Sequence, residues 1–235
     1  TRVRSSAASD VYKRQTYYRA IESIKNPEMV SYNVVSIPGL INESLTNQLI
    51  ENTEERADAL AVIDVPFGFI PKHERLYSNV STFNLNVDSN GDLRQSVNTV
   101  KGRKYNSSYA STYYPWVKIR DNINARDVFV PPSIAALGAM SYTDRVQAPW
   151  FAPAGFNRGG LSSGVSGLPV VSTALKLFKD DRDDLYEINV NPIATFPNEG
   201  VVIFGQKTLQ VESSALDRIN VRRLLVFLKR GVSRI

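Results

Sequence analysis

Gly160-Leu161-Ser162-Ser163-Gly164 matches G-x-S-x-G, the string that presents a nucleophilic serine on a tight strand-to-helix turn. In the hydrolases that use this turn, the activating histidine follows the serine in the chain. This chain has one histidine, His73, which lies upstream between Lys72 and Glu74. Residues 149–169 are rich in Pro, Gly and Ser, so the string reads as part of a long irregular loop. Asp64 is the second catalytic candidate, because it ends a short apolar run and open α/β sheets place function at the carboxyl ends of their strands. The sequence has no Walker A string and no G-x-G-x-x-G to accompany it. Asp64 therefore reads as structural, and a hydrolase using Ser162 or Asp64 stands as an alternative from another functional class.

Two acidic groups have the composition of cation sites. Asp88, Asn90 and Asp92 surround Gly91, but an EF-hand loop needs glycine at its sixth position and a bidentate Glu at its twelfth. Here the glycine is fourth and the twelfth residue is Thr99, so Asn90-Gly91 reads as a hairpin turn. Lys179-Asp180-Asp181-Arg182-Asp183-Asp184 reads as the solvated, dipole-favoured start of a short helix. No metal and no cofactor is expected. The absence of cysteine excludes disulfides, thiolate zinc sites and a Cys nucleophile.

The remaining candidate is cationic. The chain carries a formal net charge of +5 over 235 residues, and the charge is unevenly placed. Residues 1–15 hold four basic residues against one acidic, and residues 217–235 hold six against one. The stretch between them holds 18 basic and 21 acidic residues, a net −3. Arg222, Arg223, Lys229 and Arg230 fall on one predicted helix, opposite an apolar stripe of Val221, Leu224, Leu225 and Leu228. Such a face suits contact with an acidic protein surface. With the aromatic run Tyr105 to Trp116 it would also suit a nucleic-acid-binding module, although an acidic body and strand-like aromatics argue against a nucleic-acid groove. No apolar run approaches the roughly 20 residues of a membrane helix, so no membrane partner is expected.

The elements that position these residues follow from periodicity. Val30–Ser36 alternates and is β-branched, and Ile37-Pro38-Gly39 breaks it. Asn42 is placed to cap a helix with Leu45, Leu49, Ile50 and Ala57 on one side. Leu60–Ile63 is a short buried strand, so a right-handed β-α-β crossover and a parallel pair are predicted. A hairpin joins Val80–Val87 to Leu93–Val100, and a strand covers roughly Ser111–Ile119. Pro131-Pro132-Ser133 opens a helix to about Thr143 with Ile134, Leu137 and Met140 inward. Val170–Phe178 is strand-like, Asp180–Glu187 helical, and Ile193–Phe196 and Val201–Phe204 flank a turn at 197–200. Asp217 opens the final helix and Gly231 suits its end. The fold class predicted is α/β, a mixed β-sheet with flanking helices and a β-α-β unit. The segment TRVRSSAASDVYKRQ shows no helical or strand period. It resembles a translated sequencing adapter, or else a basic disordered arm, and residues 1–15 are set apart as non-native or disordered.

Three ordered groups of segments resemble one family. The first is Val34-Val35-Ser36-Ile37-Pro38-Gly39-Leu40 followed by Ala61-Val62-Ile63-Asp64-Val65-Pro66. The second is Ser108-Tyr109-Ala110-Ser111-Thr112-Tyr113-Tyr114-Pro115-Trp116-Val117, then Val130-Pro131-Pro132-Ser133, Thr143-Asp144-Arg145 and Ala152-Pro153-Ala154-Gly155. The third is Asn191-Pro192-Ile193, then Gly200 to Leu209 and Asp217 to Leu224. Together they are similar to contractile-phage tail sheath proteins, in wording most like those of T4-like myoviruses, across roughly residues 26–234.

The resemblance implies a non-enzymatic subunit, stacked as hexameric rings around a tail tube, that contracts to drive the tube through a host envelope. It implies self-association, partners in the tube, baseplate and tail terminator, assembly in the host cytoplasm and residence in the virion. A tailocin or another contractile injection system is the nearest alternative. On this reading residues 16–190 form the core domain, and residues 191–235 begin a C-terminal domain cut short. Arg222, Arg223, Lys229 and Arg230 are the candidate contact with the tube or a neighbouring subunit.

Overall fold

The computed structural model describes residues 2–64, 98, 100–162 and 169–232. The Asn90-Gly91 turn, His73 and the Asp88-Asn90-Asp92 group lie outside the described residues; of the expected strand Leu93–Val100, Asn98 and Val100 are described and are helical, not extended. The elements are α1 (Arg2–Ser23), β1 (Val34–Ser36), α2 (Glu43–Arg56), β2 (Leu60–Ile63), β3 (Ala110–Tyr114), β4 (Val117–Asp121) and β5 (Arg126–Val130). They continue with α3 (Pro132–Val146), β6 (Val170–Thr173), α4 (Lys179–Glu187), β7 (Val190–Phe196), β8 (Gly200–Ile203) and α5 (Ile219–Val232). The predicted β-α-β unit is present. The Asn42 side chain accepts from Leu45 N–H, and Ala57 ends α2 in the left-handed region. Strands β1 and β2 pair in parallel with Val34 opposite Leu60.

Five strands form the main sheet in the order β1-β2-β3-β7-β8. The first four are parallel, and β8 returns antiparallel beside β7 through the predicted turn. A separate antiparallel sheet has the order β5-β4-β6. Alternation along the buried strands divides the core in two, as a period of two requires. Ala61 and Ile63 of β2, Ala110 of β3 and Val190 and Ala194 of β7 face Ile21, Leu45, Leu49 and Leu185 from α1, α2 and α4. Leu60 and Val62, Tyr113 and Ile193 face the other way, toward α3 and Ile219 of α5.

Several boundaries differ from the sequence expectation. Strand β1 has three residues, not seven, and β6 stops at Thr173. The expected strand over 111–119 is two strands in different sheets, broken at Pro115, which has no N–H to offer a ladder. Helix α3 turns Ala135, Ala136, Ala139 and Met140 inward, while Ile134 and Leu137 are half-buried. Its inner face is thus mostly alanine, with Met140 the one large side chain on it. Helix α1 runs through the aperiodic N-terminal stretch, which contains neither Gly nor Pro. Residues 11–20 of this helix are all exposed, and Ile21 then enters the core.

Two polar devices hold the sheet. Pro192 lies in β7, between β3 and β8, and cannot donate to a neighbour. The buried side chain of Asn191 donates to Thr112 O of β3 (3.1 Å) and Lys207 O (2.8 Å), and accepts from Lys207 N (2.6 Å). The outer edge of β8 is covered by residues 155–161: Gly155 N–H donates to Ile203 O, Ile203 N–H to Gly159 O and Leu161 N–H to Val201 O, at 2.7–2.8 Å. A Cβ on Gly159 would lie 2.6 Å from Ile203 O, so this approach demands glycine. Because the α3 face is mostly alanine and fully buried, Ala139→Leu should overpack it and lower the unfolding free energy by about 1–3 kcal/mol. Chemical denaturation of the two chains checks this.

Candidate functional site

The two catalytic candidates are both engaged in structural bonds. Ser162 Oγ accepts the Val201 N–H at 2.8 Å, beside the segment that lines β8. Asp64 is 1% exposed at the end of β2. Its carboxylate accepts from Gly39 N–H (2.8 Å), Ser133 Oγ (2.7 Å) and Ser133 N–H (3.2 Å). Ser133 lies in the first turn of α3, where backbone donors lack partners within the helix, and Pro131 supplies no capping side chain. Asp64 therefore caps α3 from the adjacent strand and ties it to the turn after β1. Burial pushes this carboxyl above its ordinary value, and the three donors only partly offset that. Among the described residues no group of three His, Cys, Asp or Glu could hold a metal, and no helix is long and apolar enough to cross a membrane.

The cationic candidates lie on α5, which crosses the starting ends of the parallel strands. Ile219 N–H donates to Gln206 O, and the Arg218 guanidinium reaches the Tyr186 hydroxyl just before β7. Arg222 donates to Ser108 Oγ (2.5 Å) and lies 4.1 Å from the Tyr109 ring centroid, just before β3. Lys229 Nζ donates to Arg56 O (2.9 Å) ahead of β2, and Arg230 reaches Tyr32 O ahead of β1. Arg230 also stands 3.6 Å from Asp58. Arg56 itself is buried, held by Asp58, Ile24 O and Val30 O. Helix α5 is thus a strap fastened in turn to the segments that precede β7, β3, β2 and β1.

This arrangement corrects the sequence reading of the helix faces. Arg222 and Arg223 point inward and are 6% and 4% exposed. Arg223 meets both oxygens of Asp144 on α3, at 2.5 and 2.6 Å. The apolar stripe is only half-buried at Val221, Leu224 and Leu225, and Phe227 and Leu228 are about half exposed, at 48% and 50%. The inversion has a physical reason. A guanidinium is tolerated inside where a carboxylate, hydroxyl or aromatic face receives it, and Asp144, Ser108 and Tyr109 do so from far along the chain. Asp217 directs its carboxylate at Arg218 and Ser213. Tyr113 and Tyr114, drawn from the aromatic run, are core residues at 1% exposure. The exposed Phe227 and its edge-on partner Trp150, 5.1 Å between centroids, were not singled out by the sequence; only their size and position outside the expected stripe marked them.

No family model matches the chain. The tail sheath protein of Vibrio phage KVP40 is 44% identical over 113 residues, covering 48% of this chain and 16% of that protein. The tail sheath protein of Enterobacteria phage T4 is 36% identical over 114 residues, again 48% of this chain and 16% of the relative. That of Salmonella phage ViI is 30% identical over 129 residues. This chain therefore matches at most 20% of the length of these relatives. In fold it is similar to a sheath complex of an extracellular contractile injection system, PVC, in the contracted state: TM-score 0.59 and 18% identity, over 91% of this chain and 50% of that one. A chain of the anti-feeding prophage baseplate gives 0.57 and 18%, over 88% and 46%. The chain is thus related in sequence to phage tail sheath proteins and shares its mixed α/β fold with contractile sheath assemblies.

Two measurements follow from the buried anchors. Asp144→Ala strands the Arg223 guanidinium in the core and should lower stability by about 2–4 kcal/mol; Arg223→Met with Asp144→Ala should recover part of that loss. A double-mutant cycle in urea reads the coupling. Folding raises the proton affinity of Asp64, so its contribution is greatest in acid and declines as pH rises through the carboxylate range. The destabilisation caused by Asp64→Asn should accordingly be larger in acid than at neutral pH, and denaturation across pH checks the trend.

Proposed function

We propose that this chain is part of a structural subunit of a contractile tail sheath, which polymerises around a tail tube and contracts to drive it through a host envelope. One observation carries the reading: 44% identity to a phage tail sheath protein over 113 residues, within a fold shared with contractile sheath assemblies. The occupied Ser162 and Asp64 side chains support a mechanical role over a hydrolytic one. In this reading the subunit is not an enzyme and uses no cofactor, nucleic acid or membrane. It forms hexameric rings with copies of itself and meets the tube, the baseplate and the tail terminator. It assembles in the host cytoplasm and resides in the virion.

Residues 16–190 carry the core domain in this reading and residues 191–235 open the C-terminal one, although β7 and β8 share a sheet with β1–β3. Residues 1–15 stand outside both. The proposed contact with the tube or a neighbour, drawn on Arg222, Arg223, Lys229 and Arg230, rests on Lys229 and Arg230, because the other two are buried. A sheath of a tailocin or another injection system is the second reading, favoured by the fold likeness to the PVC complex.

Expression of the complete reading frame, followed by negative-stain electron microscopy, tests the proposal. Tubular polymers are expected. Persistent monomers at high concentration would overturn it.

A further inference from the structure

Helix α5 is fastened by side chains more than by packing. It is the one described element whose backbone makes no extended close approach to another helix or strand. Of its apolar side chains only Ile219 and Val226 are buried. Val221, Leu224 and Leu225 are half-buried, and Phe227, Leu228 and Val232 are exposed. Long cationic arms bridge the gap to the body, at Ser108 Oγ, Asp144, Arg56 O and Tyr32 O. Four buried polar atoms at this seat, Gln206 Oε1, Asn220 Oδ1, Arg222 Nε and Arg223 Nη1, have no hydrogen-bond partner among the described residues. Each has given up water without a replacement, which penalises the closed arrangement. Only the start of the helix is pinned by main chain. Thr208 N–H donates to Asp217 O, Ile219 N–H donates to Gln206 O, and Ile219 is fully buried. From Arg222 onward the bonds to the body come from side chains.

We propose that residues 222–232 form a releasable strap, which lifts from the body about Ile219 while the five-stranded sheet stays folded. Three terms set the balance. Lifting returns little apolar surface to water, so its hydrophobic cost is small. It rehydrates the four stranded polar atoms and the buried guanidinium groups. Opposing it are the charge-assisted bonds, above all Arg223 to Asp144. Elements with few buried apolar contacts open at a lower free energy than the core, as separate cooperative units. The open form uncovers the segments that precede β1, β2 and β3 and lets the last helix of the described chain reorient. This inference stands apart from the sheath reading and does not depend on it.

The chain contains no cysteine, so single thiols report opening directly. Val226→Cys places one in the seat of α5, at 4% exposure, and Val62→Cys places one in β2, at 0%. Each is placed in the full chain and labelled with excess maleimide under native conditions. Val226→Cys is expected to react at least about a hundredfold faster than Val62→Cys. Adding Asp144→Asn should quicken Val226→Cys at least about tenfold. Adding Ile63→Val, at the far end of β2, should quicken Val62→Cys at least about twofold and leave Val226→Cys unchanged, because the sheet stays folded when the strap lifts. Equal labelling rates overturn the strap. So does equal quickening of both thiols by Ile63→Val, or no quickening of Val226→Cys by Asp144→Asn.

Hydrogen exchange of the unsubstituted chain supplies the second arm. An undocked helix this short frays in water, so its amides report the opening. Residues 222–232 are expected to exchange ahead of β2, β3 and β7, and to respond little to low urea, because opening exposes little surface. Exchange of α5 together with those strands overturns the proposal.

Discussion

Four parallel strands begin side by side, and the chain must close that end without hairpins. Parallel strands are joined by crossovers, which leave their starting segments as a row of loops with backbone carbonyls and hydroxyls facing outward. Helix α5 lies across that row and supplies cationic donors to it, to Tyr186, Ser108, Arg56 O and Tyr32 O. Long guanidinium arms suit this task because one helix must reach loops set at successive strand spacings. The cost is that two of these groups are buried, which is tolerable only with fixed partners. Asp144 and the Tyr109 ring are those partners, and they belong to other elements. The strap therefore couples α3 and the β3 entry loop to the last helix of the described chain.

At the other end of the sheet, one described carboxylate joins β1, β2 and α3. Asp64 receives the turn after β1 and the first turn of α3 at once, so β1, β2 and α3 converge on it. The two ends thus use opposite charge: cations at the strand starts and an anion at the end of β2. Between them Asn191 restores a ladder contact beside Pro192. These few polar groups fix the register and edges of a core that is otherwise held by non-directional apolar burial.

The residues most legible in the sequence were those governed by short-range rules. Asn42 and the β-branched runs around α2 announce the β-α-β unit, and Pro197-Asn198-Glu199-Gly200 announces the β7–β8 turn. The existence of α5 follows from its composition, but its orientation does not. Binary patterning assigns arginine outward, and only the distant positions of Asp144, Ser108 and Tyr109 reverse that. The same limit applies to Asp64, whose roles depend on Gly39 and on Ser133, 69 residues away. Pro115 could have been read as a strand break within the 111–119 run. The mostly alanine inner face of α3 was written in Ala135, Ala136 and Ala139, yet larger neighbours at Ile134 and Leu137 drew the expectation.

That alanine face has a mechanical meaning. Ala135, Ala136 and Ala139 have no rotamers to exchange, so on this face only Met140 can repack. Close-packed interiors have low compressibility and pass on displacement instead of absorbing it. A displacement of α3 would therefore be passed to β2 and β3, and to α5 through the Arg223 Nη2 donor that meets both Asp144 oxygens.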